Sequence, residues 1–475
     1  MSTKRMLAAA MAAIMLSGFA VGCKPQEGGG ESSAPVAESS EEESVPKGMI
    51  VSGGEEGSYP IVDMDGYEYV VVDCTRYGDY EIPPEGTDLR ADAFWENKRQ
   101  VEDDLNCTIS YDFYDPVNSF DTIFPKLMSG EKVGDITITN FFSLGAYITS
   151  DLVADIQTLP GINLKAKYWN RAVTEACTIG GKTLATSNDM VYYGDRIAGM
   201  FYNKTLLNKL GLEDPDAMVK NGTWTYDKFR EMALAATKDN GDGVWNDQDQ
   251  WGLVGPNIEQ PLYYAGGNRV FDTTEDGKVV FAMDTPKALE SMLFVKDIVW
   301  KSRVYYHLPD GVFWMKWHNM FQEGKALFLA CTISEAQYFR DMEDEFGYLP
   351  MPKGPNADDY YVMIEGNSAI ISVFKTNTDL DKTGPITEAL AYLGHRIHEA
   401  TEEDLFEVLL QGYEQPKEMQ KFMTQRMLFD VYHTNIVPQL GSSWFDMWNE
   451  NGDAQACVDS LKESVQTSLD SIFNQ

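Results

Sequence analysis

The sequence predicts an α/β protein built as two lobes, on three grounds. Two separate stretches alternate strand-like with helix-like periodicity, and 475 residues suffice for two cores. The 43% apolar and 12% aromatic content is that of a packed globular chain, not a disordered one.

The first alternation opens with "YEYVVVDC" (67–74), a β-branched and aromatic run that reads as a buried strand. "ADAFWENKRQVEDDL" places Phe94, Val101 and Leu105 on one helical face, and "CTISYDFY" (107–114) returns as a strand. A shorter helix, "DTIFPKLMSG", leads to the strand "GDITIT" (134–139). Strand–helix–strand–helix–strand is the pattern of a parallel sheet covered by helices. The second alternation runs from the strand "IAGMFYN" into "KTLLNKLG", where Leu206, Leu207 and Leu210 share a side and Gly211 stops the helix. Then Phe229, Met232, Ala233 and Ala236 follow i, i+3, i+4 and i+7, with Thr225 as N-cap. "FQEGKALFLAC" turns from helix to strand at Gly324, and "SAIISV" (368–373) is a further strand. The last hundred residues are mostly helical and end with Leu461, Val465, Leu469 and Ile472 on one face.

Net charge is −36, from 74 acidic and 38 basic residues. Such a chain repels a phosphate backbone, so a nucleic-acid partner is excluded, as is a basic-patch hold on anionic lipid. At the N-terminus Lys4 and Arg5 precede the apolar run "MLAAAMAAIMLSGFA", which describes a secretory signal over residues 1–22. Residues 23–58, rich in Gly, Ser, Pro and Glu, hold little that could enter a core and read as a self-repelling tether. Cys23 follows Ala20-Val21-Gly22 and resembles the lipobox cysteine of bacterial lipoproteins. That resemblance implies an acylated Cys23, anchored to the outer face of the cytoplasmic membrane. The remaining Cys74, Cys107, Cys177, Cys331 and Cys457 lack CxxC spacing, so they form neither a zinc site nor a disulfide framework, although one bridge stays open.

Several segments together resemble the extracellular solute-binding proteins of ABC importers, in the carbohydrate-binding group that includes maltose-binding protein. They are Tyr202-Asn203-Lys204 leading to Gly211, Thr223-Trp224 opening a helix, "MFQEGKALFLACTISEAQYFRDM", "FGYLPMPKGPNADDYY" and "IVPQLGSSWFDMWNE". The resemblance implies a two-lobed, hinged, periplasmic-binding-protein-like (type II) fold with discontinuous lobes. Residues 59–195 and 358–397 would form the N-terminal lobe, and 196–357 and 398–475 the C-terminal lobe. It also implies a monomer that closes on a saccharide, preferably an oligosaccharide, and hands it to the permease subunits. A peptide or another non-sugar solute is the alternative ligand, and a surface glycan-active enzyme the less favoured class.

Ligand residues are sought in loops beyond the carboxyl ends of strands, where open α/β sheets bind. Those loops offer Thr75, Arg76, Asn140 and Phe141; then Tyr192, Tyr193, Asp195 and Arg196 near the expected first crossover; then Ser334, Glu335, Glu365 and Asn367. By the family resemblance Trp444 takes the place of a stacking aromatic. Sugars present C–H faces to aromatic rings and hydroxyls to charged or amide groups, which is the chemistry of this set. Trp314 and Trp317, spaced with Phe321, read as core. His395 and His398 stand at i, i+3, but Ile386, Leu390, Leu393 and Ile397 mark the buried face there, so no metal pair is expected. With no HExxH, GxSxG or phosphate loop, no enzyme and no cofactor are expected.

One exception concerns "DNGDGVWNDQD" (239–249), which resembles a calcium loop. Setting Gly243 at position 6 places Asn240, Asp242, the Val244 carbonyl, Asn246 and Asp249 at ligand positions. Position 1 then falls on Lys238, with Asp239 one residue late. A structural Ca²⁺ and a polar turn capped by Asp239 both remain open.

Overall fold

The computed structural model describes residues 56–75, 84–116, 118–191, 196–339, 341–366, 368–410, 414–431 and 435–473. The signal, most of the tether, Cys23, Arg76, Tyr192, Tyr193, Asp195 and Asn367 lie outside the described residues.

Two four-stranded sheets organise the chain. Apart from two small hairpins (Thr178–Ile179 with Lys182–Thr183, and Phe271–Thr273 with Val279–Phe281), the strands in sequence order are β1 (Tyr67–Asp73), β2 (Cys107–Phe113), β3 (Ile136–Asn140), β4 (Ala198–Asn203), β5 (Trp251–Val254), β6 (Ala326–Thr332), β7 (Phe346–Pro350), β8 (Val362–Met363), β9 (Ala369–Ser372) and β10 (Met427–Leu428). The first sheet has the order β9-β3-β1-β2, with β1, β2 and β3 parallel and β9 antiparallel to β3. The second has the order β7-β4-β6-β5, in which β4 runs against both neighbours while β6 and β5 are parallel.

Side-chain alternation builds a core on each face of the first sheet. Tyr69, Val71, Ile136 and Ile138 pack with Val101 and Leu105 on one side, whereas Val72 meets Ile123, Leu127 and Leu144 on the other. The helix Leu89–Leu105 starts where the Asp88 side chain accepts from the Ala91 N–H, and stops at Asn106, whose φ of 50° is left-handed. In the second lobe Trp224 is wholly buried against Phe229 and Phe328, and its Nε1 donates to the Pro350 carbonyl at 3.0 Å. Thr225 does sit at the N-cap of helix Tyr226–Ala236, but its side chain makes no capping bond. The five cysteines after Cys23 are all free, three of them buried.

The chain passes between the sheets through paired backbone. Thr186 bridges to Ile371 of the first sheet, and Ile197, entering β4, bridges antiparallel to Ile364. β8 pairs in parallel with β10. Further bonds run from the Ile364 N–H to the Leu428 carbonyl at 3.3 Å and from the Glu365 N–H to the Arg196 carbonyl at 2.9 Å. A third passage follows helix His395–Glu403, which packs on helix Leu89–Leu105, into the π-helical run Asp404–Leu409, which packs against Ile333–Phe339.

On that helix His398 lies between Asp189, at 3.1 Å, and Glu402, at 3.4 Å. Burial opposes its charge, but the hydrogen bonds to Asp189 and Glu402 outweigh that, and its pKa is pushed up from 6.5 to about 9. A folded-state pKa above the unfolded one stabilises fully below pH 6.5 and loses that contribution as pH rises through 9. His398→Leu is therefore expected to cost on the order of 1–3 kcal/mol at pH 6 and much less at pH 10. Denaturant melts of both proteins across that pH range check this. A cost that stays constant with pH would contradict it.

Candidate functional site

Both sheets turn a matching edge toward the passages between them. In the first, the carboxyl ends of β1, β2 and β3 lie beside the start of β9, because Ala369 pairs with Asn140. In the second, β5, β6 and β7 end beside the start of β4, because Thr332 pairs with Ala198 and Pro350 with Gly199. Tyr348 fixes this edge: its hydroxyl lies 3.2 Å from the Ile197 carbonyl and 3.1 Å from the Cys331 carbonyl. Its ring crosses Gly199 so closely that a Cβ there would collide with it.

The expected site residues divide. Arg196 and Glu365 come together: guanidinium and carboxylate are 3.6 Å apart with 47% and 32% of their side chains exposed, directly on the paired passage strands. Ser334 and Glu335 sit just past β6, the Ser334 hydroxyl bonded to Thr332 at 2.8 Å. Behind Glu335, wholly buried His318 places Nε2 3.1 Å from the Glu335 Oε2. Asn140 is half-buried at the end of β3 and precedes helix Phe141–Thr149. Phe141 needs correction. It was expected to face a ligand, but it is wholly buried, its ring 4.2 Å from that of Phe429. Phe142 is the exposed neighbour, at 51%, and its ring covers Gly366 so closely that no Cβ would fit there. Trp444 falls in helix Pro438–Trp448, with its side chain outside the described residues.

Sequence reasoning missed three groups at these edges. Asn257 and Glu259 follow β5, and burial pushes the Glu259 carboxyl above its ordinary range. Tyr338 follows Glu335 by one helical turn. Burial raises its hydroxyl pKa first, then the Glu335 charge, while Arg196 pulls it down, so both charges lie near it. Trp314, read as core, is only half-buried and packs edge-on to Tyr338 with centroids 6.0 Å apart. The signal that could have found them is position: each lies on or packs against a segment beyond a strand's cleft end.

The acidic loop occupies the opposite edge of the second sheet, before β5, with Lys238 paired to Gln250 at its base. Carboxylate oxygens of Asp239, Asp242 and Asp249 lie within 4.8 Å of one another. Asp249 is fully buried and accepts from the Asn240 and Asn246 N–H groups at 2.9 and 2.6 Å. Asp239 accepts from the Gly241 and Gly243 N–H groups at 2.6 and 3.2 Å, so the late Asp239 reaches the cluster where Lys238 could not. Asn240 and Asn246 hold neighbouring backbone N–H groups, and the Val244 carbonyl accepts from the Asn246 amide at 2.9 Å.

Among the described residues no helix is long and apolar enough to cross a membrane. No curated protein sequence matches the chain significantly. Its fold is that of solved binding proteins. The cyclic α-maltosyl-1,6-maltose binding protein of Arthrobacter globiformis is 16% identical with a TM-score of 0.61, the match covering 86% of this chain and 100% of that one. The GacH receptor of Streptomyces glaucescens, solved unliganded and with acarbose, is 15% identical with a TM-score of 0.55, over 86% of this chain and 99% of that one. An ABC substrate-binding protein of Listeria monocytogenes, in complex with cycloalternan, is 15% identical with a TM-score of 0.54, over 85% and 99%. These likenesses establish the hinged two-lobed architecture. The family profile of bacterial extracellular solute-binding proteins matches residues 118–394, more than half of the chain, and the chain belongs to that family.

Proposed function

We propose that this chain is the substrate-binding component of an ABC importer, capturing a saccharide, by preference an oligosaccharide, between its two cleft edges. It would release the sugar unchanged to the permease subunits, working as a monomer held to the membrane by an acylated Cys23 and its tether. The observation that carries the reading is the half-exposed Arg196–Glu365 pair on the passage strands, flanked by Phe142 from one sheet and by Glu335 and Tyr338 from the other. A hydroxyl-rich ligand satisfies a guanidinium and a carboxylate together, and aromatic edges take its C–H faces. The neighbours solved with acarbose and with cycloalternan support a sugar ligand. We also propose that the acidic loop takes a structural Ca²⁺, which its converging carboxylates suit.

A thermal-shift screen of the full chain against monosaccharides, oligosaccharides and short peptides tests the main reading. A saccharide at a hundred times its Kd is expected to add about 2.7 kcal/mol of stability. Arg196→Ala and Glu365→Gln should each weaken that hit by about 10-fold, yet shift the unliganded melt little, since a half-exposed pair at 3.6 Å contributes about 1 kcal/mol or less. A peptide hit in place of a sugar would overturn the reading. For the loop, calcium titration calorimetry should give one site per chain that Asp249→Asn abolishes. The absence of any calcium heat, with no effect of EDTA on the melt, would leave the loop a polar turn.

A further inference from the structure

Trp314, the N-cap of helix Met315–Gln322, and His318 on its first turn face Tyr338 of the segment Ile333–Phe339. The indole packs edge-on against His318 with centroids 4.9 Å apart. Its Nε1 is screened from solvent and has no acceptor among the described residues. A buried indole N–H normally finds a partner, so this ring is not held by the bond that fixes most tryptophans. Immediately before it, Val312 and Phe313 are 41% and 39% exposed, which continues the apolar surface outward. On the inner side, the segment bearing Glu335 and Tyr338 follows β6 directly at Thr332, which pairs with Ala198 just after Arg196, so this surface is continuous with the charged part of the cleft. His318 closes off the Glu335 Oε2 from behind, while the Glu335 side chain keeps 23% exposure.

We propose that Trp314, Tyr338 and Glu335 form a flanking subsite that holds one further sugar ring beyond the ring engaged at Arg196 and Glu365. The assignment rests on the saccharide reading above. Each part has a separate task. The two aromatic rings take the C–H face of the sugar, Glu335 accepts from a hydroxyl, and a turn of the indole toward the cleft gives Nε1 the ligand oxygen it lacks. The subsite therefore sets preferred chain length, not whether sugar binds at all.

Calorimetry on the full chain tests this with matched series of two to five units: malto-, xylo- and manno-oligosaccharides. In the series that binds, Trp314→Ala should weaken the tetra- and pentasaccharides by about 10-fold or more and the disaccharide by less than about 2-fold. Trp314→Phe preserves the packing and stacking but removes the N–H. It should cost the long chains about 3- to 5-fold, with an unchanged melting temperature guarding against misfolding. Equal weakening at every length, or none at any, overturns the inference and leaves the saccharide reading intact. Binding of monosaccharides alone does the same. If no sugar binds in any series or as a monosaccharide, both the reading and the inference fall.

Discussion

The backbone ribbon between the sheets is the constraint from which the rest follows. Ile197 bridges to Ile364, and Ile364 donates to the Leu428 carbonyl, so segments far apart in sequence are tied into one strip. Each lobe packs its own core, and the strip joins them through few bonds, with two residue pairs between β8 and β10. Such a link lets two rigid bodies rotate while keeping their facing edges in register. It also determines which residues meet. Arg196 and Glu365 lie together because their backbones are bonded across the strip, not because either side chain demands it.

From that geometry the chemistry of the cleft follows. Strand ends of both sheets point at the strip, so polar backbone and loop side chains gather there and the apolar cores stay behind. Tyr348, whose hydroxyl lies against the carbonyls of Ile197 before β4 and of Cys331 near the end of β6, makes the second edge stiff, and Gly199 leaves it the room. Among the described residues the groups reaching solvent there are a guanidinium, carboxylates, an amide and aromatic edges. These suit a hydroxyl-rich ligand, because Arg196 and Glu365 already balance each other and Glu335 is left as an acceptor. The acidic loop lies at the far edge of its sheet, away from the cleft.

Much of the fold was legible in the sequence. The run "YEYVVVDC" and the spacing of Phe229, Met232, Ala233 and Ala236 identify a buried strand and an amphipathic helix, and both are present as read. Order and spacing of weak motifs carried the resemblance where no single one would. What stayed hidden has physical causes. Phe141 and Phe142 are adjacent on the first turn of a helix, where periodicity has too few residues to fix which one turns inward. Trp314 shares a helical repeat with core residues, and only tertiary packing leaves it half-buried. Strands as short as β8 and β10 have no pattern of their own, since their pairing is set by partners some sixty-five residues away. The loop at 239–249 shows the reverse case: counting positions put Lys238 first, while the folded turn brings Asp239 to the cluster instead.

The central claim is that one ligand touches both lobes at once. Hydrogen–deuterium exchange on the full chain, with and without the saccharide hit, measures this peptide by peptide. The account predicts slowed exchange together at the end of β3 and start of the next helix (140–144) and in the segment after β6 (333–338), with the loop at 239–249 unchanged. Slowing confined to one sheet's edge, or centred on the acidic loop, would contradict it.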